Sequence, residues 1–502
     1  MKIIILGAGR VGYSVADSLV SEKNDITVID TDAERLRDLE ARFDLRGVVG
    51  NGIDPQVLAE AGARDTDLLI ACAAQDETNL VCCKVAQLMF NIPTRIARVR
   101  SSGLELERNQ ALLGKEGFGV DRVICPEESL TRYIGKLIDY PEAMQVREFA
   151  GGRACLVSVR ARLGAPMVGG TIAELRARAP DVAVRLVAIY RRFPDEPDRF
   201  VACAGETRIE PGDEVFVLAA QEHIAHVLSA LHRRDAAPAS PVRRIMVAGG
   251  GRVGLRLAQQ LGQQGRFHLK VIESDPQRCV ELASVLPPDV LVLQGDTTDE
   301  DLLGDEGVEE VDLFLALTDD DEDNIMSCLL AKRMGASRVL ALINRRSYAD
   351  LMHGTQIDIA LSPAQAMLGE LLAFVRQGDV QAVHSLRRGV AEALEIVVRG
   401  DRKTSRVVGR KVSELPLPRD VHMGLIVRGL PDGAQAASQR GEKDWTGDGH
   451  AAAHAAGLPA PQVIIPRSST VLESNDHVVF FLPHKRLVRE VEKLFRVSAM
   501  FF

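Results

Sequence analysis

No stretch of the chain carries the roughly 18 consecutive apolar residues that a membrane-crossing helix needs, so it cannot itself conduct a solute through a bilayer by helical spans. The sequence opens directly into an apolar strand pattern, without the charged, apolar and small-residue regions of a secretory signal, and a cytoplasmic location is expected. There is no basic tail or block, and the formal net charge is −9, which argues against nucleic acid as a partner. None of the eight cysteines stands in a C-x-x-C pair. Cys72, Cys125 and Cys328 lie in apolar segments as small core residues, and adjacent Cys82 and Cys83 read as a helix packing position, with redox chemistry as the alternative. His223 and His226 lack a surrounding ligand cluster and read as surface histidines of a helix, so no metal is expected. The phosphate-binding pattern G-x-x-x-x-G-K-[S/T] is absent, which removes hydrolysis by that machinery. What is present is a balanced globular composition, 46% hydrophobic and 26% charged, in a chain of 502 residues, enough for about three or four domains.

The organising stretch is the first. Ile3–Leu6 reads as a buried parallel strand; it runs into Gly7-Ala8-Gly9-Arg10-Val11-Gly12, and Val11, Val15, Ala16 and Leu19 then recur at helical spacing. A strand, a tight turn and a helix follow. Gly7 permits the turn, Gly9 lets backbone approach a phosphate, Gly12 lets helix and strand pack, and the helix N-terminus favours an anion. Val28-Ile29-Asp30 is a second apolar strand ending in a carboxylate about 20 residues on, the position that binds a ribose hydroxyl.

Strands and helices alternate onward through Ala33–Phe43, Gly47–Gly52, Asp54–Ala61, Asp67–Ala74, Thr78–Phe90 and Thr94–Arg100. This alternation predicts an α/β fold, a Rossmann-like doubly wound parallel sheet, with ligands at the carboxyl ends of the strands. Asp30, Asn51, Ala73, Ala74, Glu77, Arg98 and Arg100 all fall at or near those ends. The helix Pro126–Asp139 carries Leu130, Ile134, Leu137 and Ile138 on one face. Beyond Pro141 the pattern turns to short strands, Gln145–Phe149, Ala154–Val159, Val184–Tyr190 and Arg208–Leu218, with a short helix Thr171–Ala177 and a closing helix Glu222–Leu231. That composition predicts a small α+β domain.

After a polar linker the programme restarts. Gly249-Gly-Gly251-Arg252-Val253-Gly254 repeats Gly7–Gly12, Glu273 answers Asp30, Asp296 answers Asn51, and Thr318 with Asp321-Glu322-Asp323-Asn324 answers Ala73 with Asp76-Glu77-Thr78-Asn79. Pro363–Val375 answers Pro126–Asp139, Val408–Leu415 answers Val168–Leu175, and Leu472–Asp476 answers Ile209–Asp213 with Asn475 in place of Gly212. The expected domains are a nucleotide-binding domain over 1–140, a small domain over 141–232, a linker over 233–242, a second nucleotide-binding domain over 243–378 and a second small domain over 379–502. The second copy gains an Ala/Gly/Gln/His-rich insert at 431–462, read as a surface loop; it holds the only tryptophan, Trp445, and His450 and His454 at i, i+4 spacing, with a metal or partner site there as the alternative reading.

The copies differ in charge. The first copy's strand ends Ala97-Arg98-Val99-Arg100 where the second reads Leu340-Ala341-Leu342-Ile343, which predicts tighter binding of a polyphosphate in the first cleft; structural ion pairs are the other reading of these arginines. Asp30 and Glu273 would repel a 2′-phosphate, favouring NAD(H) or an adenine ribonucleotide over NADP. No acid/base constellation accompanies either cleft, so a non-enzymatic sensor is the first reading and an NAD-dependent oxidoreductase with two dinucleotide clefts the second.

The duplicated glycine turns, the carboxylates, the Gly50-Asn51 and Asp76–Asn79 motifs and the twin Val-Gly-x-x-x-x-Glu-Leu signatures closely resemble the regulator-of-potassium-conductance (RCK) modules of potassium transporters, over all of the chain but the insert. The resemblance implies a regulatory subunit of a Trk-type potassium uptake system, a homotetramer beneath a membrane-embedded transporter subunit, binding NAD(H) and ATP or ADP. It also implies that the helices Pro126–Asp139 and Pro363–Val375 form contacts between modules; packing within a module is the alternative.

Overall fold

The computed structural model describes residues 1–20, 24–100, 110–174, 184–193, 196–201, 203–233, 240–345, 348, 356–376, 379–387, 390–430 and 461–497. The first half begins β1 (Lys2–Leu6), α1 (Arg10–Val20), β2 (Asp25–Asp30), α2 (Ala33–Arg42), β3 (Arg46–Val49), α3 (Pro55–Glu60), β4 (Leu68–Ala71), α4 (Asp76–Phe90), β5 (Thr94–Arg98), α5 (Gln110–Leu113), β6 (Arg122–Ile124) and α6 (Pro126–Asp139). It continues through β7 (Ala143–Phe149), β8 (Ala154–Arg160), β9 (Val184–Arg191), β10 (Arg199–Val201), β11 (Glu214–Ala220) and α7 (Ile224–His232).

The second half repeats this as β12 (Arg244–Ala248), α8 (Arg252–Gly262), β13 (His268–Glu273), α9 (Pro276–Val285), β14 (Val290–Gln294), α10 (Glu300–Asp305), β15 (Leu313–Ala316), α11 (Asp321–Met334), β16 (Val339–Leu342), β17 (Ile359–Leu361) and α12 (Pro363–Val375). It closes with β18 (Val380–Leu386), β19 (Ala391–Val397), β20 (His422–Arg428), β21 (Gln462–Ile464), β22 (His477–Leu482) and α13 (Val488–Phe495). The predicted insert lies outside the described residues up to position 460, with Trp445, His450 and His454; so do the end of the predicted helix Thr171–Ala177 and most of the linker.

The chain divides into two compact units, Met1–Arg132 with Arg243–Leu371, and Tyr133–Val242 with Leu372–Phe502. The first holds both parallel sheets, in the orders β3-β2-β1-β4-β5-β6 and β14-β13-β12-β15-β16-β17. Their central strands are continuous apolar runs because both faces are covered: Ile3, Ile4, Ile5 and Leu68–Ala71 are at most 1% exposed. Helix α1 covers its sheet with Val11, Val15, Ala16 and Leu19, the positions given by the periodicity. Cys82 and Cys83 are buried on α4, and burial pushes the Cys82 thiol up to about 12, as a packing residue requires. The helices α6 and α12 meet through the Ser129 hydroxyl, which donates to Glu370 Oε1 at 2.8 Å, and through Arg132, 3.7 Å from the same oxygen.

The second unit holds two antiparallel sheets, β10-β9-β11-β8-β7 and β18-β19-β22-β20-β21. They share one core: Phe149, Leu156, Phe216 and Leu218 from the first sheet with Leu386, Ala393, Leu425 and Phe481 from the second. The predicted strand Arg208–Leu218 is shorter than expected. Arg208 makes an isolated bridge to Thr171, and the strand proper starts at Glu214 after a turn with Gly212 at φ +93°. Buried Asp213, bonded to Arg191 at 2.8 Å, fixes that turn. Asn475 takes φ +67° at the equivalent place, and Asp476 pairs with Arg428 at 2.8 Å. Strand β10 and the short helix α5 were not expected from the sequence.

His384 is buried against Phe149, with ring centroids 5.0 Å apart, and its Nε2 bonds the Glu148 carbonyl at 3.1 Å. Burial, aided by Arg147, lowers its pKa to about 3, so folding excludes the imidazolium. The folded pKa lies below the unfolded value of about 6.5, so stability is full above pH 6.5 and falls as the pH drops toward 3. Between pH 6.5 and 4.5, above most carboxylate titration, His384→Gln is expected to remove one proton's worth of slope, about 1.4 kcal/mol per pH unit, from urea-melt stabilities.

Candidate nucleotide-binding clefts

Strand order reverses between β1 and β4 and again between β12 and β15, which opens a crevice at the carboxyl ends of the strands. Both glycine turns lie there. Gly7 and Gly249 have φ of +102° and +104°, and a Cβ on either would sit 3.0 Å or less from the backbone of Ala73 or Thr318. On Gly12 and Gly254 a Cβ would fall 1.8 and 2.0 Å from the carbonyl oxygens of Gly7 and Gly249. The outer glycines are therefore demanded by packing. The middle ones are different: nothing lies within 4 Å of a Cβ placed on Gly9 or Gly251. This open space adjoins the first turns of α1 and α8, where Arg10, Val11 and Gly12, and Arg252, Val253 and Gly254, supply N–H groups that precede the helical ladder.

The two carboxylates at the ends of β2 and β13 brace these turns. Asp30 accepts from the N–H of Ala8 at 2.5 Å and of Asp32 at 2.9 Å; Glu273 accepts from Gly250 at 2.8 Å and Asp275 at 3.0 Å. Both Asp30 oxygens and Glu273 Oε2 keep a lone pair to which a ribose hydroxyl can donate, whereas Glu273 Oε1 also accepts from the Ser274 hydroxyl at 3.3 Å. Asn51 lies beside Asp30, whose carbonyl accepts from Gly50 N–H at 2.9 Å; the Asn51 side chain is exposed and accepts from Ile53. Its counterpart Asp296 accepts from the Thr298 backbone and hydroxyl, which lower its pKa.

The loop after β4 is held by a residue that sequence reasoning treated only as part of a motif. Asn79, fully buried, accepts from Ala73 N–H at 2.8 Å and donates to the carbonyls of Ala73 and Arg98 at 3.2 and 2.9 Å. Asn324 does the same for Thr318 and Leu342 at 2.9, 3.0 and 2.9 Å. Recurrence of an asparagine at the same place in both copies was the available signal. Ala74 and Glu77 are exposed beside this loop.

Arg98 bonds Glu127 at 2.8 Å, and Arg100 lies 3.6 Å from Asp76; in this structure both cations are ion-paired. Arg98 Nε is buried and makes no hydrogen bond. In the second copy Asp321 is taken by the N–H groups of Asn344 and Arg345, and the Arg345 guanidinium bonds Glu322 at 2.7 Å, with Tyr348 OH on the same oxygen at 2.8 Å. The sequence reading missed this cation. It also gave no sign of the acidic cluster's effect on Asp323, whose pKa is raised by burial and by Asp320, Asp296 and Glu322.

An open glycine turn, a helix N-terminus, a braced carboxylate and a buried unpartnered guanidinium nitrogen fit a nucleotide, and the fold and clefts define a tandem pair of Rossmann-like binding modules with small companion domains. The TrkA-N domain model matches residues 3–126 and 245–363, and the TrkA-C domain model residues 156–232. The chain is 44% identical over 502 residues to the Trk system potassium uptake protein TrkA of Halomonas elongata, covering all of both chains. It is 44% identical over 501 residues to that of Vibrio alginolyticus, again across all of both. Among solved structures, the RCK domain of GsuK aligns with a TM-score of 0.56 at 17% identity, covering 98% of this chain and 94% of that one. The GsuK channel bound to NAD aligns at 0.57 and 17%, covering 98% and 78%. The chain belongs to the TrkA family.

The two kinds of glycine separate by mutation. Gly12→Ala, which drives a methyl into the Gly7 carbonyl, is expected to abolish soluble expression or collapse the thermal transition. Gly9→Ala is expected to fold with a loss of at most about 1 kcal/mol while weakening nucleotide binding tenfold or more, measured by calorimetry.

Proposed function

We propose that this chain is the nucleotide-sensing regulatory subunit of a Trk-type potassium uptake system, acting on the cytoplasmic side of a membrane-embedded transporter subunit. The observation that carries this reading is the full-length relationship to proteins named for potassium uptake, combined with two clefts whose glycine turns and carboxylates fit a nucleotide. Among the described residues no helix is long and apolar enough to cross a membrane, so by this reading the translocating path belongs to the partner. A regulator of this kind performs no chemistry on its ligand. It converts differential affinity for a nucleotide into a change of conformation that the partner reads.

NAD(H) and ATP or ADP are the ligands this reading assigns. NAD is supported by the GsuK channel bound to NAD, which shares the fold. In the first cleft Gly7, Gly9 and Gly12 with the N–H groups of Arg10 and Val11 would hold phosphate, Asp30 the ribose, and Arg98 and Arg100 a terminal phosphate won from Glu127 and Asp76. In the second, Gly249, Gly251, Gly254 and Glu273 repeat the turn and ribose roles. The acidic run there weakens polyphosphate binding, and the cations beside it are already engaged, Arg345 by Glu322 and Arg278 by the Gly250 carbonyl and Glu281. A homotetramer built from four of these tandem chains is the assembly the reading implies.

In cells lacking their own potassium uptake regulator, the chain is expected to restore growth at submillimolar potassium and to co-purify with the transporter subunit. Purified protein is expected to bind ATP, ADP, NAD and NADH with unequal affinities and to return each unchanged. Hydride transfer to a small substrate, or growth rescue by a chain carrying blocked clefts (Gly9→Asp with Gly251→Asp), would contradict the proposal.

A further inference from the structure

The two clefts are joined inside the first unit by an alternating run of charges, and its arrangement is one-sided. Arg98, at the end of β5 in the first cleft, bonds Glu127 Oε1 at 2.8 Å, both side chains being about five-sixths buried at 15% and 16% exposure. The other oxygen of Glu127 lies 3.7 Å from the Cys125 thiol, which donates to it. Cys125 in turn accepts from Arg256 Nη1 at 3.3 Å, and Arg256 Nη2 lies 3.6 Å from Glu128. Arg256 belongs to α8, the helix that opens at the glycine turn of the second cleft. Half two therefore inserts a cation beside the loop that holds the first cleft's arginine.

Nothing reciprocates. The repeat places Ser14 opposite Arg256, Ser362 opposite Cys125, and Ala364 and Gln365 opposite Glu127 and Glu128, while strand pairing puts Leu342 opposite Arg98, one residue beyond the Ala341 that the sequence register gives. Among the described residues the second copy shows no counterpart of the Arg98–Glu127 pair, and α1 carries serine where α8 carries Arg256. One copy has the whole device and the other has none of it.

The physical consequence follows from burial. A phosphate that draws Arg98 toward itself strands Glu127, and a largely buried carboxylate without its cation is costly. Arg256 is the next cation along the chain of contacts, linked to Glu127 through Cys125 and held by Glu128. Arg256 thus lowers the cost of releasing Arg98, and because it rides on α8 the release bears on the second cleft's own phosphate-binding helix. We propose that Arg256 is a positioning residue of the first cleft, donated by the second half, which couples polyphosphate binding at Arg98 to the geometry of the second cleft's glycine helix. This rests on the nucleotide reading above.

The test is a double-mutant cycle on ATP affinity, by calorimetry on the full chain carrying Gly251→Asp so that only the first cleft binds. With Glu127 present, Arg256→Ala is expected to weaken ATP about fivefold, and Arg256→Lys to recover part of the loss. Glu127→Gln removes the carboxylate that would be stranded; on that background Arg256→Ala is expected to change ATP affinity by less than twofold. A residue that merely braces the two halves would give the same loss on both backgrounds, which overturns the proposal, as does no loss on either. ATP binding that survives Gly9→Asp on the Gly251→Asp chain, or no ATP binding in any chain, overturns the nucleotide reading as well. With the second cleft restored, prior saturation by NADH is expected to shift ATP affinity in the native chain and not in Arg256→Ala; an identical shift in both overturns the coupling alone.

Discussion

The clefts depend on a buried asparagine used twice. Asn79 and Asn324 are each wholly buried in the first turns of a helix, and each uses its amide to hold the N–H and the carbonyl of one loop residue after the central strand, Ala73 or Thr318, while reaching the carbonyl at the end of the next strand. A loop at a strand's carboxyl end carries polar backbone groups that water would otherwise satisfy. Buried backbone groups left unpaired cost about 1–3 kcal/mol each, so one side chain meeting three of them determines where that loop can sit. Gly7 and Gly249 then pack against the same loops, at Ala73 and Thr318, so the asparagine fixes the wall and the glycine turn is built against it. The carboxylates of Asp30 and Glu273 brace the turn from the other side. Two backbone walls held at fixed separation, with helix N–H groups between them, would give the proposed nucleotide a preorganised anion site rather than one that folds around its ligand.

On this common frame the two copies diverge in charge. The first cleft has Arg98 and Arg100, each held by a carboxylate that a phosphate must displace. In the second, the counterpart of Asp76 is consumed by backbone N–H groups and the cation moves outward to Arg345, held by exposed Glu322. Exposed pairs contribute little, and the Asp320–Asp323 cluster sets a negative field that opposes a phosphate chain. Identical folds with unlike electrostatics allow one chain to compare two nucleotides, or two charge states of one nucleotide. A sensor needs that capacity; a binding protein does not.

Most of the architecture was legible because the chain states it twice. The glycine turns, the second carboxylate and the order of strands and helices follow from local pattern, and so does Asn475, which takes the left-handed conformation that Gly212 supplies in the first copy. The core positions of α1 follow from helical spacing alone. What escaped was long-range or short-lived in sequence. Arg256 and Cys125 lie 131 residues apart, and no periodicity announces that they touch. The partner of Arg98 follows from β5 and β6 being neighbours and that of Arg100 from β4 and β5, pairings the local sequence does not state, so sequence reasoning prefers phosphate there to the ion pairs the structure shows. Strand β10 is three residues of an edge, Arg199–Val201, too brief for an alternating pattern. Strand β11 starts later than its composition suggests because Arg208–Ile209 has strand composition, while buried Asp213 and its arginine convert the segment before Glu214 into a turn.

Backbone amide exchange on the full chain, with and without saturating ATP, tests the central claim most directly, since the claim concerns N–H groups at two defined turns. Protection is predicted at Arg10–Gly12 and at Arg252–Gly254, and at the Ala73 and Thr318 loops, with the stronger protection in the first cleft. ATP binding that leaves both glycine turns exchanging as before, with protection arising elsewhere, would contradict it.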